Sequence, residues 1–282
     1  MDLNTFKAFS ALVLLVFALI GGFLPLKMSQ ISPVAMHMSN SFAGGVLIAV
    51  ALVHMLPDAT DDLSDAGKAF SGAVGGDDSD AFPLANAFCL IGFLLILSLE
   101  AVLHYKPGTH ASFRNAGGDI EEEGGRVEEN VNSAGSISGG WAVFVGLSIH
   151  SVVEGVAAGA GKDDAQTSYI VLAIACHKGF ASFANSSANI AHWQNGRRPL
   201  WITMVLWFSL SGSLGIVIGI LATDNLDGAA SASITAVAAG TLLSVGITEM
   251  ILPAFRDPRA LGWKLALTAV GTLAMSLLAV WA

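Results

Sequence analysis

Two short stretches carry side chains that bind metals or protons inside otherwise apolar sequence: IHSVVEGVAAG at 149–159 and ACHKGFASFANSS at 175–187. His150 and Glu154 are four residues apart, so a helix places them on one face about 6 Å apart. His177 opens the second stretch, and VALVHMLPDA supplies a third imidazole, His54. Three imidazoles and one carboxylate form a good inner shell for Zn²⁺ and suit other first-row divalent ions. A lone histidine in apolar sequence is more often a packing residue with a hydrogen bond. Three with a glutamate on segments rich in small residues point instead to an ion path, because ionisable groups within a membrane mark such paths.

The elements that must position these residues are membrane helices. Only 12% of the 282 residues are charged, about half of what a soluble domain carries, and 54% are hydrophobic. Apolar runs long enough to cross a bilayer recur along the chain. Eight spans are expected, at 6–26, 39–57, 83–104, 139–160, 167–191, 199–222, 229–254 and 262–281. The fold class is thus an all-α membrane protein with one transmembrane domain over 1–282. The polar stretch 105–138, with EEEGGRVEEN, is expected to be a flexible cytoplasmic loop.

Basic residues set the orientation. With both termini outside, the inner segments hold Lys27, Lys106, Arg114, Arg126, Arg197, Arg198, Arg256, Arg259 and Lys264; the outer segments hold Lys7, Lys68 and Lys162. The net charge of −9 argues against a nucleic-acid partner. Cys89 and Cys176 both lie in apolar runs and suggest buried small residues, not a disulfide framework.

Further polar residues suggest a route. Asp58 follows His54. Ser151 sits beside His150. The fifth span also offers Lys178 and Ser182; Asn185 and Asn189 continue from His177 as a polar stripe an ion could follow, or as interhelical hydrogen-bonding residues, and Glu249 stands near the inner end of the seventh. Glu100, His104 and His110 lie at the inner boundary, where solvation explains them. Lys178 is expected either to pair with a carboxylate or to stand where a second cation would otherwise sit.

The motifs resemble those of the ZIP (Zrt-, Irt-like) family of divalent metal transporters. HSVVEGVAAGA is similar to its fourth-span signature and HKGFASFA to the fifth-span motif of the branch with animal plasma-membrane zinc importers. FAGGVLIAVALVHMLPDA and GTLLSVGITEMILPAF resemble the second and seventh spans. The resemblance implies a transport site of His54, His150, Glu154 and His177, with uptake from the extracellular or luminal side into the cytosol. It also implies an elevator-like alternating-access mechanism and a homodimer. Lys178 and Ala181 replace acids found in other branches, which argues for one transported ion.

The expected cargo is Zn²⁺, with Fe²⁺, Mn²⁺, Co²⁺ and Cd²⁺ as alternatives, and no catalytic cofactor. The bilayer is the other partner, and the expected location is the plasma membrane, with an organelle membrane as the alternative. An intramembrane zinc hydrolase is the rival from another class, but the sequence holds no HExxH. A metal-sensing receptor is the third reading.

Overall fold

The computed structural model describes residues 2–76, 81–104, 124–160, 164–222 and 228–278, and among these there is no strand. In chain order the helices are α1 (Leu3–Ile31), α2 (Pro33–Ala49), α3 (Leu56–Asp62), α4 (Ser64–Ala73), α5 (Leu84–His104) and α6 (Gly124–Ala160). There follow α7 (Asp164–Ala188), α8 (Ile190–Gln194), α9 (Arg198–Ala222), α10 (Gly228–Ser244), α11 (Leu252–Arg256) and α12 (Leu261–Leu278). Helix is what a membrane demands, because each backbone N–H and C=O must find its partner within the segment.

Seven helical segments among the described residues are long and apolar enough to cross a bilayer; α7 is not one of them. Its 25 residues carry His177, Lys178 and Asn185 along with several serines, which dilute its hydropathy. The expected flexible loop over 105–138 needs correcting in part. Residues 105–123 lie outside the described residues, but 124–138 are helical, because α6 starts at Gly124. A helix satisfies its own backbone and needs no core to extend past the bilayer.

Two helices are interrupted by π-helical turns, Val50–Met55 after α2 and Val245–Ile251 after α10. Each precedes a proline, Pro57 or Pro253. Proline lacks an N–H and its ring crowds the carbonyl four residues back, at Val53 or Glu249, so the wider turn absorbs the mismatch. One turn carries His54 and the other Glu249.

The helices sort into two groups by how closely their backbones meet. In the first, α6 and α9 cross through glycines: a Cβ on Gly155 would fall on the Gly212 carbonyl, and one on Gly215 on that of Val152. Gly21 of α1 meets Gly179 of α7 in the same manner. In the second, Gly240 of α10 lies on Cys89 of α5, and Gly271 of α12 on Phe42 of α2. Close approach of this kind is what small residues provide in membranes. The seam between the groups is made by side chains. Phe42 packs edge-on to Phe180 at 5.1 Å, Ser187 donates to Asn40 Oδ1 at 2.8 Å, and Ile96 sits over Gly146.

These contacts give a stability test. Gly215→Leu is expected to destabilise the protein by at least about 2 kcal/mol through overpacking. Gly262, with open space around it, is expected to tolerate leucine. Thermal unfolding of both variants in detergent checks this; equal Tm values would contradict the proposed crossing.

Candidate metal-binding site

Helix α6 brings His150 and Glu154 to one face, and α7 crosses it so that His177 meets them. His177 Nε2 lies 2.7 Å from Glu154 Oε1, and His150 Nε2 lies 3.0 Å from the same oxygen. Ligand atoms of all three lie within 4.8 Å of one another. The cluster is sealed: His150 and His177 are 1% and 0% exposed, and Glu154 is 7% exposed.

The cluster is not hydrogen-bonded to completion. His150 Nε2 is near Glu154 Oε1 but lacks hydrogen-bonding geometry, and among the described residues its Nδ1 and Glu154 Oε2 have no partner either. Each such buried polar atom costs about 1–3 kcal/mol when left unmet. Two imidazole nitrogens converging on a single carboxylate, with lone pairs to spare, describe a site built for a cation.

His54 is not in this three-residue cluster. Its Nδ1 pairs with Asp58 Oδ2 at 3.5 Å, and its side chain is 15% exposed against 64% for Asp58. It is still close enough to interact electrostatically with His177 and Glu154. Exposure therefore falls steadily from Asp58 through His54 to the buried cluster. His54 stands within the first π-helical turn.

Lys178 is fully buried and donates to Ser151 Oγ; its ammonium lies 4.8 Å from the centre of the Phe208 ring and against Gly212. Among the described residues it has no carboxylate within ion-pair distance, so the expected ion pair gives way to a hydroxyl and a ring face. Ser211 donates to Ser151 Oγ at 2.6 Å and completes this pocket. Ser211 and Phe208 were not legible as partners, because nothing in sequence relates α9 to α7.

The stripe continues beyond the lysine. Ser182 is buried against Gly22 of α1 with no partner for its hydroxyl among the described residues. Asn189 Nδ2 donates at 2.9 Å to the carbonyls of Gly140 and Asn185, tying α7 to α6. Glu249 is half-buried in the second π-helical turn, outside the cluster. Glu100 is half-buried on α5, and His110 lies outside the described residues.

A family model described as "ZIP Zinc transporter" matches residues 4–279, nearly the whole chain. The chain belongs to the ZIP family. Among curated relatives, it is 27% identical over 267 residues to Zinc transporter ZIP1 of Danio rerio, covering 84% of this chain and 85% of that one. It is 27% identical to Zinc transporter ZIP2 of Homo sapiens, with 88% and 86% covered, and 24% identical to Zinc transporter 3 of Oryza sativa subsp. japonica, with 86% and 78% covered. As a ZIP protein it is a multi-pass membrane protein that transports divalent metal ions, and it is a transporter, not an enzyme. The hydrolase reading is not favoured.

Replacing Glu154 or His177 by alanine in this ZIP protein is expected to abolish metal uptake while leaving its amount in the membrane unchanged. Uptake measured beside surface labelling checks this, and normal uptake by either variant would remove the cluster from the pathway.

Proposed function

We propose that this chain carries Zn²⁺ into the cytosol through His54, His150, Glu154 and His177, with Asp58 at the access side. The observation that carries the reading is the sealed carboxylate between two imidazoles with lone pairs unmet. Nitrogen-rich ligation favours Zn²⁺, while Fe²⁺, Mn²⁺, Co²⁺ and Cd²⁺ share enough of the same chemistry to compete. The names of the relatives point the same way.

The topology has eight spans, with α7 as the fifth, and both termini outside. Helix α7 is long enough to cross, and it runs against α1, α6 and α9, so His177, Lys178, Ser182, Asn185 and Ser186 meet protein instead of lipid. Two lysines leave the charge count, because Lys7 caps the Gly159 carbonyl at 2.7 Å and Lys264 caps Ala254 and Asp257 at 2.8 and 2.6 Å. The positive-inside bias survives their removal. The segment between α5 and α6 is then cytoplasmic. The plasma membrane is the proposed location.

Transport proceeds by sliding of one helix group (α1, α6, α7, α9) against the other (α2, α5, α10, α12). Glycine contacts lock each group internally, whereas the seam holds side chains and an apolar cavity of about 880 Å³ lined from α1 and α7 on one side and α2 and α12 on the other. Toward the cytosol the cluster is closed by an apolar layer that includes Leu147, Val143, Ala181 and Ala184. The access side is open as far as Asp58. Alternating access requires that layer to part. One ion moves per cycle, with the Lys178 ammonium as a fixed charge beside the site; a homodimer is the proposed assembly.

Two experiments test this. Radioactive zinc is expected to accumulate in sealed vesicles containing the purified protein, with cold zinc competing better than iron, manganese or cadmium. Stoichiometric binding without accumulation would favour a receptor. In a background lacking Cys89 and Cys176, a disulfide between cysteines at 42 and 180, across the seam, is expected to stop uptake until reduced. One joining 11 and 213, where Ser213 donates to the Ala11 carbonyl within a group at 2.8 Å, should leave uptake intact. Equal effects would contradict sliding at the seam.

A further inference from the structure

Fifteen residues beyond His177, the polar stripe ends at a group that sequence reading passed over. His192 lies on α8 and is 1% exposed, and neither ring nitrogen has a hydrogen-bond partner among the described residues. Its ring sits edge-on to Trp141 of α6, centroids 6.2 Å apart. The neighbouring residue of α6, Gly140, accepts from Asn189 Nδ2 at 2.9 Å, while Asn189 Oδ1 is buried and unpartnered. Hence an imidazole and an amide oxygen, both with unmet lone pairs among the described residues, lie against adjacent residues of α6, His192 against Trp141 and Asn189 against Gly140, on the opposite side of Leu147 and Val143 from His150. Burial, and then the charge of Arg197, hold the His192 ring below the ordinary histidine range, so it is neutral and keeps a free nitrogen lone pair.

Packing alone does not account for this. A phenylalanine would fill the space beside Trp141 without leaving two buried nitrogens unmet, and each unmet atom carries a cost. Both atoms are donors that divalent transition metals accept. Their place is also telling. On α6 the order from the site is His150, Leu147, Val143, Gly140; on α7 and α8 it is His177, Ala181, Ala184, Asn189, His192. Leu147, Val143, Ala181 and Ala184 belong to one buried apolar cluster. The His192 pair thus lies on the far side of that layer from the site.

We propose that His192 and the Asn189 amide oxygen form a release site, which takes the metal ion after it leaves Glu154 and passes it to cytosolic water. This rests on the pathway direction proposed above. A cation crossing an apolar layer needs ligands on both sides, since each lost water must be replaced. A neutral pair binds more weakly than a site with a carboxylate, so it can also let go.

Two substitutions separate a ligand from a packing residue. His192→Phe keeps a ring against Trp141 and removes both nitrogens; His192→Cys loses the ring and restores a metal donor. Zinc accumulation in vesicles is expected to fall about tenfold in maximal rate for His192→Phe, the low end of what removing a partner of a metal site costs. The cysteine variant should recover most of it. Equilibrium zinc binding at the Glu154 cluster should be unchanged in both. The opposite order, with phenylalanine active and cysteine inactive, would overturn the proposal by assigning His192 to packing. Equal rates in both variants and the parent would overturn it as well. Failure of the parent protein to accumulate zinc would instead count against the proposed function, so the two are distinguishable.

Discussion

The structure depends on one constraint: the Glu154 carboxylate is held away from water, within a membrane-spanning bundle, and must be compensated. Moving such a group out of water costs on the order of several kcal/mol even after the protein relaxes. His150 and His177 supply part of the compensation, both approaching the same oxygen. The second oxygen has no partner among the described residues. On the proposed function a divalent cation completes the arrangement, and its arrival and departure are what the surrounding helices must permit. Lys178, held by Ser151 and the Phe208 ring, adds a fixed positive charge to the same neighbourhood, which argues against a second resident ion.

Compensation of this kind requires accurate placement, and small residues provide it. Helices α6 and α9 touch backbone to backbone through Gly155, Gly212 and Gly215, and α1 and α7 do so through Gly21 and Gly179. The helices that bear the ligands are therefore stiffly joined. Contacts from α7 to α2 are of another type, with Phe42 on Phe180 and Asn40 on Ser187. Aromatic edges and a single hydroxyl can exchange partners at modest cost, whereas interlocked glycines cannot separate without opening a void. Rigid groups and an adjustable seam thus follow from which residues lie where.

Much of this was legible in the sequence because it is local. The four-residue spacing of His150 and Glu154 is one helical turn, and the apolar runs mark the helices. The polar stripe of α7 follows the same periodicity. What was not legible depends on tertiary contact. His54 pairs with Asp58 one helical turn on, as their spacing allows, but that it stands outside the three-residue cluster depends on how the helices cross. Lys178 was expected to pair with a carboxylate or to stand where a second cation would sit; its contacts with Ser151 and Phe208 depend on where α6 and α9 pass. The polarity of 124–138 suggested a loop, yet a helix that leaves the bilayer needs no apolar face. His192 drew no notice in the sequence, and it is buried where α8 meets Trp141.

The most direct test of the account is X-ray absorption at the zinc edge on the purified protein loaded with one equivalent of zinc. The account expects one tightly held ion in a nitrogen and oxygen shell, with the outer scattering of at least two imidazoles and no neighbouring metal. That signature should disappear in Glu154→Gln. A short metal–metal vector, or an unchanged spectrum in the glutamine variant, would contradict a single ion held between His150, Glu154 and His177.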